Sequence, residues 1–156
     1  MPLFSVQAVP NDMNSWITLA RHCETAGFDA LLVPDHPGAA ASPFVALAAA
    51  APVTERIGLG PCVANAGVRE PLLLASDIAT LDVVSGGRAR MALGAGHTPA
   101  EWAMVGSRRP DVAGRVRRFT AVAEPGVDLR MGTPGKTCAE NVQNLGGNVR
   151  HHIDHG

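Results

Sequence analysis

The chain has 156 residues, 46% hydrophobic and 17% charged, which is enough apolar material for one domain with a real core and too much for a disordered segment. A formal net charge of −1 argues against nucleic acid as a partner, and no apolar run is long enough to span a bilayer, so no membrane is expected either. Cys23, Cys62 and Cys138 stand far apart with no C-x-x-C pair, and the N-terminus lacks a basic segment followed by an apolar one; disulfides and a metal site are therefore not expected, whereas a reducing cytoplasm is.

Residues 3–9 alternate polar and apolar side chains, the period of a strand. Asn14 or Ser15 then offers an N-cap. Trp16, Leu19, Ala20 and Cys23 fall on one helical face, and Gly27 supplies a stop. Residues 30–33 are apolar on both faces, as a strand covered on both sides must be. Pro34-Asp35-His36-Pro37-Gly38 breaks that strand. Ser42 caps a second helix with Pro43 at its first position, and residues 44–51 are apolar nearly all round and so expected to be buried. Residues 57–63 read as a third strand. A third helix runs over 71–85 with Leu74, Ile78 and Leu81 inward, and Gly86-Gly87 ends it. Residues 88–93 read as a fourth strand. Thr98-Pro99-Ala100-Glu101 has the form of a capping box, and a last helical stretch spans 115–123.

The strand starts lie near residues 3, 30, 57 and 89, one β-loop-α-loop length apart each time. Four such units in series predict a parallel sheet, either open and doubly wound or part of a (β/α) barrel. The pattern decays after Glu124: residues 125–156 hold six glycines and only seven of Val, Ile, Leu and Met. The alternating run 127–131 is a candidate fifth strand. The chain therefore divides into 1–124, which carries the fold, and an atypical tail over 125–156.

Asp35 and His36 are the candidate chemical residues, because they follow the second strand at the edge of the sheet where parallel α/β proteins bind ligands. Histidine moves a proton near neutral pH, and a neighbouring carboxylate fixes its tautomer. The plainer alternative is a loop histidine pinned by helix caps. Gly94-Ala95-Gly96-His97 resembles the start of a dinucleotide fingerprint, but Pro99 occupies the third glycine position, so the glycines are read as allowing close backbone approach. Gly135-Lys136-Thr137 lacks the earlier glycine of a phosphate loop, since Arg130 stands there. His151, His152, Asp154 and His155 sit in the tail without a scaffold for a metal. Arg108, Arg109, Arg115, Arg117 and Arg118 form a basic cluster, read as a solvated helix face with an anionic coenzyme tail as the alternative.

Taken in order, residues 26–36 (AGFDALLVPDH), 42–44 (SPF), 69–75 (REPLLLA) and 81–88 (LDVVSGGR), followed by Leu93-Gly94-Ala95-Gly96, resemble the luciferase-like monooxygenase superfamily. Within it they resemble the coenzyme F-420-dependent oxidoreductases. Glu101 and Gly106 also fall where such proteins carry a Glu and a Gly. The resemblance covers residues 3–123 and implies an α/β fold, a partial (β/α)8 TIM barrel of about four βα units with a poorly structured C-terminal tail. It further implies a coenzyme ring across the C-terminal mouth, with His36 near the reactive face for proton transfer or substrate polarisation and Asp35 orienting it. A cis peptide between Cys62 and Val63 would back the ring, and Gly94, Gly96 and His97 would line the mouth. The implied activity is hydride transfer between a deazaflavin, coenzyme F-420, and a small-molecule organic substrate. The alternatives are an FMN-dependent monooxygenase and a non-catalytic half-barrel remnant or subunit partner. In the last case the first three helices would bury themselves in a homo-oligomer or against another subunit. A complete barrel of this kind has about 250 residues. The absent half would carry much of the phosphate site, and the tail reads as sequence not selected to fold, as a frameshift or a truncated gene would leave it.

Overall fold

The computed structural model describes residues 3–123. The candidate strand at 127–131, the 132–137 stretch and the histidine-bearing tail lie outside the described residues. Strands β1 (Ser5–Gln7), β2 (Ala30–Val33) and β3 (Gly58–Pro61) form a parallel sheet in that order, with Val6 opposite Leu31 and Leu31 opposite Leu59. Strands β4 (Ala64–Asn65) and β5 (Leu93–Gly94) form a second parallel pair. Leu59 also bridges Ala89 in parallel, so the strand expected over 57–63 is β3 and β4 together, and the fourth strand is only intermittently paired. Leu59 pairs with Ala89 and Ala64 with Leu93, which leaves one more residue on the β3–β4 side. The surplus is taken up in segment 60–63, where the Cys62–Val63 peptide is cis. Gly60 is required at this kink: a Cβ there would lie 2.0 Å from the Arg90 carbonyl oxygen, so only glycine permits the two strands to approach.

Helix α1 (Met13–Thr25) buries Trp16, Ala20 and Cys23, as its periodicity requires. Its cap is Asp12, not Asn14 or Ser15. Asp12 holds the extended backbone of a cap and accepts the Ser15 N–H, which places Asn14 and Ser15 inside the first turn. The Trp16 indole donates to the Ala46 carbonyl of α2 (Pro43–Ala50) at 2.8 Å, so the ring is buried with its one donor satisfied. Ser42 precedes α2 but makes no side-chain capping bond, and Val45 and Ala48 face outward on a helix that buries Phe44, Ala46, Leu47 and Ala50. Helix α3 (Pro71–Val84) buries Leu74, Ile78 and Leu81. Helices α4 (Pro99–Met104) and α5 (Val112–Ala123) follow, α5 starting before the expected residue 115. Leu31, Leu47 and Leu59 are wholly covered where α2 meets the sheet, and each contributes about 1.5–3 kcal/mol of hydrophobic stabilisation.

Arg88 ties these layers together. Its guanidinium donates to the carbonyls of Ala51, Thr54 and Ile57 and its Nε to that of Ser85, which joins the ends of α2 and α3 to the turn before β3. Burial pulls it below its ordinary value, against the opposing charge of Glu24. Among the described residues no helix is long and apolar enough to cross a membrane.

Candidate active site

The segments leaving the C-terminal ends of the strands converge on a cleft of about 230 Å³. Asp35 and His36 reach it just after β2. Cys62, Val63 and Asn65 come from the kink and β4, Gly94 to His97 from the end of β5, Glu101 from α4 and Arg115 from α5. The sequence candidates Asp35, His36, Cys62, Val63, Gly94, Gly96 and His97 thus share one cleft. A second hollow, of about 340 Å³, lies between the start of α1 and α2 against Trp16, Val45 and Ala46. Its one ionisable group, Asp12, is engaged in capping, so it offers little chemistry.

A chain of hydrogen bonds organises the cleft. His36 Nδ1 lies 2.7 Å from Glu101 Oε1, and the Asn65 side-chain amide donates to Glu101 Oε2 at 2.6 Å. The Gly67 N–H donates to Asn65 Oδ1, and the Asn65 N–H donates to Asp35 Oδ2 at 2.8 Å. Arg69 forks the same carboxylate, with Nε to Oδ2 at 2.6 Å and Nη2 to Oδ1 at 2.9 Å. The carboxylate at His36 is therefore that of Glu101, and Asp35 does not orient the imidazole. The physical reason is competition: a bidentate guanidinium occupies both Asp35 oxygens with charge-assisted bonds. Those bonds hold the Arg69 guanidinium above its ordinary value, although burial works the other way. Arg69 also lies over the Phe44 ring, 5.2 Å from its centroid.

Exposure divides the roles. The side chains of Asp35 and Glu101 are 1% and 6% exposed, whereas that of His36 is 45% exposed. The carboxylates form the floor and the imidazole meets whatever enters. Val63 presents an exposed apolar surface next to it. The Cys62 carbonyl accepts from Gln7 Nε2, which ties the kink to β1. Gly96 sits at φ +71°, and a Cβ there would lie 2.6 Å from Asn65 Oδ1, so the loop after β5 can close over Asn65 only as glycine. The His97 ring stands edge-on to His36 with centroids 6.3 Å apart.

The arginine cluster is not simply a solvated face. Arg109 donates to the His97 carbonyl, Arg115 to that of Gly96, and Arg118 to those of Ala66 and Arg69. These three fasten α5 and its approach to the backbone around the cleft, Arg109 from an exposed position; Arg108 and Arg117 are exposed as well. Similarly, α4 starts at Pro99 as the capping-box pattern predicts, yet Thr98 makes no side-chain capping bond and Glu101 turns to His36 and Asn65. Glu101, Asn65 and Arg69 are the site residues that sequence reasoning left out. Glu101 and Arg69 stood in family-like positions, which was the available signal; Asn65 had none. Among the described residues no group of three or more His, Cys, Asp or Glu side chains is arranged to hold a metal.

A family model described as luciferase-like monooxygenase matches residues 4–125. The chain is 39% identical over 94 residues to 5,10-methylenetetrahydromethanopterin reductase of Methanopyrus kandleri, covering 60% of this chain and 27% of that protein. It is 33% identical over 109 residues to 4-hydroxyprotoasukamycin monooxygenase of Streptomyces nodosus subsp. asukaensis, covering 67% of this chain and 28% of that one. The structure of coenzyme F-420-dependent tetrahydromethanopterin reductase from Methanopyrus kandleri superposes with a TM-score of 0.64 and 29% identity, over 78% of this chain and 39% of that chain. The chain thus spans well under half the length of each of these proteins, and its architecture is that of a partial (β/α) barrel.

Proposed function

Since the chain belongs to the luciferase-like monooxygenase family, we propose that its cleft receives the ring of a deazaflavin, coenzyme F-420, and serves hydride transfer to or from a small organic substrate. The observation that carries this reading is a half-exposed histidine backed by a buried carboxylate, beside the apolar surface of Val63, at the C-terminal ends of the parallel strands. The likeness to a reductase and to an F-420-dependent structure supports the choice of coenzyme.

The donor set fits a planar, partly apolar ring. Val63 and the backbone of Cys62 offer an apolar surface, Gly94 lets the neighbouring strand pack directly against Val63, and Gly96 lets the following loop close on Asn65. A cleft of about 230 Å³ is smaller than the roughly 300–1,000 Å³ of pockets that enclose a whole drug-sized ligand. The described residues accordingly hold part of a ring and not a complete coenzyme. When bound, such a coenzyme supplies two-electron hydride chemistry. The chain's own share is to orient the reactants and manage protons: His36 gives or takes a proton in the cleft, Glu101 steadies it, and His97 flanks it at the mouth. The monooxygenase relative favours a second reading, FMN-dependent oxygen activation in the same cleft.

Absorbance titration of the 156-residue chain with deazaflavin and, separately, with FMN tests both. The expected result is a weak but saturable perturbation of the deazaflavin spectrum, lost in Val63→Arg with the circular dichroism unchanged. Preference for FMN transfers the case to the second reading. No response to either coenzyme overturns both and leaves a non-catalytic half-barrel.

A further inference from the structure

The orientation of one buried amide decides where the proton sits on His36. Asn65 Oδ1 accepts the Gly67 N–H at 3.0 Å, so the Asn65 NH2 group faces Glu101 Oε2 at 2.6 Å. Asn65 and Glu101 are each 5% exposed, so water competes little for these bonds. Asp35 is taken by Arg69 and the Asn65 N–H, which leaves Glu101 as the carboxylate at His36. An ionised carboxylate only accepts, so His36 Nδ1 has to donate.

We propose that Glu101, aligned by Asn65, is a positioning residue that holds neutral His36 in the Nδ1–H tautomer and leaves the Nε2 lone pair open to the cleft as a proton acceptor. Among the described residues Nε2 has no protein partner, and the ring is 45% exposed on its side-chain surface. A histidine side chain free in water carries its proton mainly on Nε2, so the site inverts the ordinary preference. The use of that lone pair rests on the coenzyme reading above, but the tautomer depends on this chain's residues alone.

The same amide supplies a discriminating variant. Glu101→Gln preserves the shape of the side chain. Its carbonyl oxygen has to meet the Asn65 NH2 group, because Asn65 cannot turn without facing its own NH2 toward the Gly67 N–H. The new amide therefore aims its NH2 at His36 Nδ1, where only an acceptor fits, and the imidazole proton moves to Nε2. A residue that merely filled space would not reverse a tautomer.

The test is a long-range proton–nitrogen correlation spectrum of the full chain with 15N-labelled histidine and no coenzyme, read on the neutral form across a pH series. Loss of one signal set in His36→Asn assigns the residue. The expected result is protonated Nδ1 and bare Nε2 in the wild-type chain, reversed in Glu101→Gln. A wild-type ring protonated on Nε2, an acceptor-type Nδ1 (which would put the proton on Glu101), or an unreversed Glu101→Gln spectrum overturns the proposal. If Glu101→Gln does not fold, the wild-type spectrum still decides the tautomer. Because no coenzyme is present, failure here is distinguishable from failure of the coenzyme titration.

Discussion

Arg69 and Asp35 are the residues on which the geometry of the cleft floor depends. The Asp35 side chain is 1% exposed and that of Arg69 21% exposed, so removing one charge leaves the other poorly hydrated. Asp35→Asn keeps the size and discards the charge, and it is expected to cost about 2–3 kcal/mol, somewhat below the value for a fully buried pair. Urea denaturation with an unchanged m-value measures this; a loss under about 0.5 kcal/mol would show that the pair is not holding the floor. The position of Asp35 and His36 was legible in the chain, because a polar pair following an all-apolar strand marks the functional edge of a parallel sheet. The partnership was not. Glu101 lies 65 positions from His36, and its spacing to Thr98 gave it a sufficient local explanation as a cap. The same holds for Arg118, whose backbone acceptors at Ala66 and Arg69 are some fifty residues away and leave no trace in the local pattern.

Among the elements, those with a long periodic face were legible: α1 and α3 bury the faces their spacing marks out. The strands were legible in position, β2 over its whole length, but the break between β3 and β4 was not, since a kink at a cis peptide and a close approach through Gly60 follow from neighbouring chain segments and not from alternation. The union of α1 with β3 makes a specific expectation. Glu24, in the last turn of α1, accepts the backbone N–H groups of Glu55, Arg56 and Ile57, which lead into β3. Burial would raise its pKa, but those donors outweigh it and hold the carboxyl below its ordinary 4.5. A depressed carboxylate stabilises the fold above its unfolded value, and that contribution is lost as pH falls through the folded one. Glu24→Gln should therefore be less stable than the wild-type chain at pH 7, and the gap should close as the pH drops below about 4.5. Denaturation midpoints at pH 7 and in acid give the comparison. A gap that persists or widens in acid would assign the role of Glu24 to packing.

For the molecule as a whole, the described residues leave a strand edge that a complete barrel would pair. Among the described residues β1 pairs with β2 on one side and with no strand on the other, and Leu3 and Phe4 beside it are exposed. The helical layer also faces outward with large apolar side chains: Met13 on α1, Val45 on α2, and Leu72, Leu73, Val83 and Val84 on α3. Unpaired edges and apolar surface of this extent drive association. The 156-residue chain is expected to self-associate through these helices, as the sparse charge of α2 and the start of α3 allows. Sedimentation velocity over a concentration series reads this directly. The double variant Val45→Lys with Leu73→Glu places charges on positions 70% and 63% exposed, so it should leave the fold intact and shift the chain toward monomer. A stable pair needs about 800 Å² of each partner, and two opposed charges in the middle of such a patch would be desolvated at considerable cost. A wild-type chain that stays monomeric at high concentration would show that the exposed apolar side chains are tolerated singly. A double variant that associates as strongly as the wild type would move the contact from the helices to the open edge of β1, where Leu3→Lys is the variant that then has to weaken it.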